Sequence, residues 1–138
     1  MNSIARTPLR VSPLPRPGRV IERRKHRAAS AADALELALS SAAADGQLDV
    51  VLIADDSGML VAASHTPLDL EMLAAITPIV SRGRAKANVK RNGEQRELSV
   101  KSLRVFDETL HVAALGGDAQ ARALGVMRSV TAARRILG

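Results

Sequence analysis

Two adjacent carboxylates, Asp55 and Asp56, stand between the apolar runs Val50–Ala54 and Met59–Ala63. Paired acids divide general-acid and general-base work when their surroundings push their pKa values apart. Here they are followed by Ser57 and Gly58, the composition of a tight turn, where Asp hydrogen-bonds nearby backbone and Gly supplies positive φ. The pair is read as turn-forming, not catalytic. The histidines, His26, His65 and His111, are far apart, with no two of them at ligand spacing, so no metal site is expected. Gly116-Gly117-Asp118 precedes a helical pattern but lacks the Lys and Ser/Thr that handle phosphate. No Walker A, no G-x-G-x-x-G and no G-x-S-x-G occurs, so neither a bound nucleotide cofactor nor a serine nucleophile is expected. These absences argue for a protein that is not an enzyme.

Binding chemistry is better represented, because the charges are sorted along the chain. The formal net charge is +6 in 138 residues. Residues 1–27 hold Arg6, Arg10, Arg16, Arg19, Arg23, Arg24, Lys25 and Arg27 against Glu22 alone, so the rest of the chain is close to neutral. From Ala28 to Ser81 there are acids and no Lys or Arg. From Arg82 to Arg104 the bases Arg82, Arg84, Lys86, Lys90, Arg91, Arg96, Lys101 and Arg104 face only Glu94 and Glu97. Such sorting favours oriented docking of a charged partner or of a second copy.

The length suits one domain with a core of its own plus some surplus. No cysteine is present, which removes disulfides and thiol chemistry and fits a reducing, cytoplasmic setting. No apolar run approaches the roughly 18 residues of a membrane span, and the Pro- and Arg-rich start lacks the apolar stretch of a secretory signal. Phe106 is the only aromatic residue, so the core must be aliphatic and the stacking platforms of single-strand nucleic-acid binders are missing.

Four prolines (Pro8, Pro13, Pro15, Pro17) and one sign of charge describe residues 1–27 as a disordered basic arm, with residues 28–138 as the folded domain. Its residues Arg16, Arg19, Arg23, Arg24, Lys25 and Arg27 are candidates for binding nucleic acid or an acidic surface. Ser30 with Asp33 three residues on reads as the cap of a first helix, Ala31 to Asp45, ended by Gly46. The hairpin around Gly58 follows, and its consecutive apolar residues 50–54 predict an inner strand covered on both faces. Thr66-Pro67-Leu68-Asp69 reads as the start of a second helix, with Pro78 kinking it or ending it near Thr77. Its apolar stripe Met72, Ile76, Ile79, with Val80 beside it, is wider than one sheet face needs, which marks a contact between subunits. Asn92-Gly93 joins Ala87–Arg91 to a strand beginning near Arg96. There the alternation slips from Leu98/Val100 to Leu103/Val105, which predicts a bulge at Lys101-Ser102. Leu110–Leu115 is the last strand, expected beside the first, and a closing helix carries Val126, Val130, Ala133 and Leu137. The class is α+β: an antiparallel sheet of about five strands with helices packed on it.

Three stretches resemble the roadblock family, the domains related to roadblock-type dynein light chains. Residues 51–64, Val-Leu-Ile-Ala-Asp-Asp-Ser-Gly-Met-Leu-Val-Ala-Ala-Ser, resemble its first hairpin. Asp69-Leu-Glu71-Met-Leu73-Ala-Ala75 resembles the opening of its second helix. Leu110-His-Val-Ala-Ala-Leu115, the loop with Asp118 and Leu124-Gly125-Val-Met-Arg128 resemble its last strand and final helix. The likeness covers roughly Ala31 to Leu137 and implies a roadblock/profilin-like fold, GAF-like and longin layouts being the nearest competitors. It further implies a homodimer through the second helices and third strands, and a role with Ras-like small GTPases as activator, exchange factor or scaffold. Fold does not choose among these.

On that basis Met72, Ile76, Ile79 and Val80 are the expected dimer contact. Arg82, Arg84 and Lys86 are the expected contacts with an acidic patch on the GTPase, either as docking charges or as an arginine finger. Two other readings compete: a dimeric adaptor whose basic arm binds nucleic acid or an acidic surface, and a GAF-like sensor of a small ligand, which requires a pocket with convergent polar groups.

Overall fold

The structure is a computed structural model that describes residues 17–83, 88–91 and 93–138, with side chains from Ser30 onward apart from that of Arg91. The chain divides into a unit ending at Ser30 and a unit Ala31–Gly138. Helix α1 spans Pro17–Gly46, so its first turns belong to the former and the remainder to the latter. Residues 17–27, which composition assigns to the basic arm and which hold Arg19, Arg23, Arg24, Lys25 and Arg27, form the first turns of α1. Pro17 occupies the first helical position, and Arg, Lys, Glu and Ala are strong helix formers, so local propensity outweighs the lack of an apolar stripe. Residues 1–16, including Arg16, lie outside the described residues.

The second unit is built on five antiparallel strands: β1 (Val50–Asp55), β2 (Leu60–Ala63), β3 (Asn88–Arg91), β4 (Glu94–Val105) and β5 (Glu108–Leu115). Their order in the sheet is β2-β1-β5-β4-β3. Helices α2 (Glu71–Ser81) and α3 (Ala119–Leu137) complete it. On one face Leu35, Leu39 and Ala43 of α1 and Val126, Val130 and Ala133 of α3 close over Val51, Ile53, Val112 and Ala114. On the other, Leu73 and Ala74 of α2 cover Val50, Leu52, Ala113 and Leu115. Every residue from Val50 to Ala54 is fully buried, as its unbroken apolar run requires, and each large one contributes about 2 kcal/mol by burial. β5 lies beside β1, with Val50 opposite Leu115 and Asp55 opposite Leu110.

Three local expectations change. The register between β4 and β5 is unbroken from Leu98↔Leu115 to Val105↔Glu108, so Lys101-Ser102 holds no bulge. The slip in alternation has another cause: Leu98 and half-buried Val100 pack on the α2 side, whereas Leu103 and Val105 pack on the α1/α3 side. One long strand serves both cores in turn. The Thr66-Pro67 signal does not start α2, because the Thr66 hydroxyl accepts from Leu68 N (3.2 Å) and Asp69 Oδ1 accepts from Glu71 N (3.0 Å). These side chains stabilise local turns instead, the usual competition between short polar side chains and helix, and α2 begins at Glu71. It then passes through Pro78 to Ser81 without ending at Thr77, whose hydroxyl donates to Leu73 O (2.7 Å).

Candidate functional site

The outward side of α2 separates its stripe into two kinds of residue. Leu73, Ala74 and Thr77 are buried against the sheet, and Ile76 and Val80 are half-buried at the edge of the same core. Met72 and Ile79 are 60% and 41% exposed. Of the four residues expected at a subunit contact, two are thus exposed and two only half-buried.

The C-terminal end of α2 meets the β1–β2 turn. Asp55 Oδ1 accepts from Ser57 N, Ser57 Oγ and Met59 N at 2.7 to 2.9 Å, which makes Asp55 the turn-former expected from its neighbours. The Ser57 hydroxyl and the Met59 amide hold its carboxyl below the ordinary carboxylate range. Gly58 has φ +88°, and a Cβ there would come within 3.0 Å of Ala75 Cα, so this turn tolerates only glycine against α2.

Asp56 has a different task. Its Oδ1 accepts from Nε2 of His111 at 2.9 Å and from Nη2 of Arg82 at 2.6 Å, while Arg82 also donates to Asp56 O at 3.2 Å. One carboxylate therefore joins a turn, an inner strand and the end of α2. The His111 side chain is 3% exposed, and its Nδ1 has no hydrogen-bond partner among the described residues. The hydrogen bond from His111, followed by the Arg82 charge, lowers the Asp56 pKa below 3.8. A carboxylate whose pKa is depressed by folding adds stability above its ordinary value, and this is lost as pH falls from 3.8 through the folded-state value. Asp56→Asn is accordingly expected to melt below the wild type at about pH 6 and to converge on it as the pH falls below 3.8 and the wild-type carboxylate is protonated. Thermal melts across that range check this, and a gap that stays constant would show that the Asp56 charge is not what stabilises the turn.

At the opposite end of the sheet two arginines pin loops to strands. Arg122, 4% exposed, donates from Nε to Ser99 Oγ (3.0 Å), from Nη1 to Gly116 O (3.1 Å) and Gly117 O (2.8 Å), and from Nη2 to Glu97 Oε2 (2.6 Å). Arg96 makes a two-pronged pair with Asp49 at 2.9 Å on both oxygens, and Asp49 raises the Arg96 pKa in return. On α3, Arg128 reaches Asp45 at 2.6 Å. The Gly116-Gly117 loop thus offers two carbonyl acceptors to an arginine. Arg122 escaped the sequence reading because its partners lie on a strand and a loop that only the fold brings to it; an arginine four residues after the Asp118 cap carries no mark of burial in sequence.

Arg82 is partly exposed and held by Asp56, so the structure places it at the surface beside α2. Arg84 and Lys86 lie outside the described residues. Among the described residues there is no cluster of three or more His, Cys, Asp or Glu able to hold a metal, and no helix is long and apolar enough to cross a membrane.

No family model matches this chain, and no curated protein matches it in sequence. Its fold, in contrast, has solved counterparts. MglB of Myxococcus xanthus superposes with a TM-score of 0.54 at 14% identity, covering 75% of this chain and 87% of that one. The gliding protein MglB of Thermus thermophilus gives 0.59 at 15% identity, over 78% and 90% of the two chains. A structure of MglB with a tetrameric arrangement gives 0.58 at 16% identity, again over 78% and 90%. With this strand order, the two layers of helices and these counterparts, the chain carries a roadblock-type fold.

Proposed function

We propose that this protein is a non-catalytic, dimeric regulator or scaffold for a Ras-like small GTPase. The observation that carries the proposal is a roadblock-type fold whose second helix keeps Met72 and Ile79 in solvent. Large apolar side chains left exposed on the helix through which the resembled family pairs are fitted for a second copy. One solved MglB has a tetrameric arrangement, which supports reading the fold as one that assembles. Arg82, fixed in direction by Asp56 and followed in sequence by Arg84 and Lys86, is the docking site for an acidic patch on the GTPase. The chain is assigned no reaction of its own, and the role belongs to the cytoplasm, where such GTPases work.

The test is calorimetric titration of the purified chain with small GTPases encoded in the same genome, each loaded with GDP or with a non-hydrolysable GTP analogue. Binding is expected to depend on the nucleotide. Charge reversal of Arg82, Arg84 and Lys86 together is expected to weaken it at least about tenfold and to flatten its salt dependence. The thermal midpoint should fall only slightly, since Arg82 is exposed and His111 still holds Asp56 when Arg82 is reversed. Absence of binding to every such GTPase in both nucleotide states would end this reading.

A further inference from the structure

Helices α1 and α3 cover the sheet face opposite α2, and their outward sides leave an open groove of about 520 Å³ between them. Small side chains leave the room: Ala38 and Ser41 of α1, Thr131 and Ala132 of α3. The long side chains that line it are Met127, Arg128 and Arg135. Met127 is 50% exposed, and Leu124, one turn earlier on α3, is 59% exposed, so apolar surface continues along the helix. Large apolar side chains left in solvent beside a concavity mark a contact surface.

The charge on this face has one sign. Arg128 spends Nη1 on Asp45 at 2.6 Å and reaches Ser41 Oγ with Nη2 only at 3.4 Å. A guanidinium carries five donors, so a second carboxylate can share it. The side chains of Arg134 and Arg135 have no hydrogen-bond or ion-pair partner among the described residues. Lys101 arrives from β4, its Nζ 3.5 Å from Met127 Sδ. Among the described residues, Asp45 is the one carboxylate bonded to any of these four cations. Cations in the last turn suit the dipole of α3, which accounts for Arg134 and Arg135 but not for the apolar groove beside them.

We propose that this groove receives an acidic amphipathic helix of a different protein, with apolar side chains in the groove and carboxylates on Arg128 and Arg135. Spacing sets the pattern that fits. Arg128 and Arg135 are seven residues apart, about 10.5 Å along α3, with the small Thr131 and Ala132 between them. A helix laid along the groove meets both arginines with carboxylates at i and i+7, and its residues at i+3 and i+4 fall on the same face, over the space between. Charge decides the occupant. Residues 1–27 of this chain hold eight bases against one acid and so have the wrong sign. A second copy set on this face by a two-fold axis brings arginines against arginines. A flat anionic membrane would meet the arginines and leave the groove unfilled. The contact lies on the other side of the sheet from α2 and does not depend on the GTPase reading.

Two Ala-based helical peptides, titrated against the full chain by fluorescence anisotropy, test this. One has Glu at i and i+7 with Leu at i+3 and i+4; the other has Lys in place of Glu. The Glu peptide is expected to bind at least about 30-fold more tightly than the Lys peptide. Arg128→Glu with Arg135→Glu should weaken the Glu peptide by a similar factor and tighten the Lys peptide, a gain that loss of folding cannot produce. Arg135→Glu alone, which breaks no ion pair among the described residues, should weaken the Glu peptide at least about threefold. No binding of the Glu peptide at about 1 mM, or an affinity that the double reversal leaves unchanged, overturns the proposal. Binding to vesicles of phosphatidylserine and phosphatidylcholine in equal parts that the double reversal abolishes also overturns it, since the face would then be a membrane contact. A photoreactive p-benzoylphenylalanine in place of Thr131, irradiated in cells, identifies the occupant. A cross-linked segment with acids seven residues apart around apolar ones supports the proposal, and cross-links only to a second copy overturn it.

Discussion

Arg122→Ala is expected to lower the stability of the folded unit by about 3 kcal/mol, the largest loss from any single polar side chain among the described residues. The size follows from which partners are left behind. Glu97 is 67% exposed and water takes over its carboxylate, so the ion pair itself contributes little. The Gly116 carbonyl, bonded to Arg122 in the interior, has no such recourse, the part-buried Gly117 carbonyl and Ser99 hydroxyl have less of it than Glu97, and an unpaired buried polar group costs on the order of 1 kcal/mol or more. Glu97→Gln is therefore expected to cost no more than about 1 kcal/mol. Arg122→Lys should fall between, since an ammonium keeps the charge but cannot reach three groups in one plane. Urea denaturation of the three variants orders them. If Arg122→Ala stays within about 1 kcal/mol of wild type, water enters the loop and the network is not structural.

The second large effect belongs to α2. Met72→Asp with Ile79→Asp is expected to raise the dimer dissociation constant by about a thousandfold or more, giving a folded monomer at low micromolar concentration. Met72 is 60% and Ile79 41% exposed in the single chain, so the charges cost little there and much more when a second helix covers them. Ile76→Asp is the contrasting variant. Ile76 packs against the α2-side core, and a carboxylate there should unfold the chain as well as separate it. Sedimentation with circular dichroism distinguishes the two outcomes. A wild-type protein that sediments as a monomer even at high concentration removes α2 as a dimer contact.

Where sequence alone sufficed, the deciding residues were neighbours. The first hairpin, the positive φ of Gly58 and Gly93, and the burial of β1 all follow from runs of a few residues, because turn chemistry and strand burial are local properties. The fold was legible for the same reason, as an order of such elements. The misses were contests between a local signal and a distant one. Alternation in β4 looked broken because its two halves serve different helices, a fact that no window around Lys101 contains. Thr66 had the right chemistry for a cap and spent it on a turn. His111 and Asp56 read as an isolated strand histidine and a turn acid; their 2.9 Å contact exists only because β5 lies against β1. For the candidate site, Arg82 was visible as the first base after a long acidic stretch, but the carboxylate that aims it was not.

The pairing of β1 with β5 also governs how the chain reaches this structure. The ladders β1–β2, β3–β4 and β4–β5 are hairpins, each closed by a short turn between consecutive strands. Of the ladders between described strands, only β1–β5 joins the first strand of the folded unit to its last. Closing so long a loop has an entropic cost that must be met before any ladder bond forms, so topology makes this the slow event of folding. Until it happens, β1 and β5 present their apolar faces and unpaired edges to other chains. The inner strands that give the native state its stability are thus the ones that expose a nascent chain longest to aggregation.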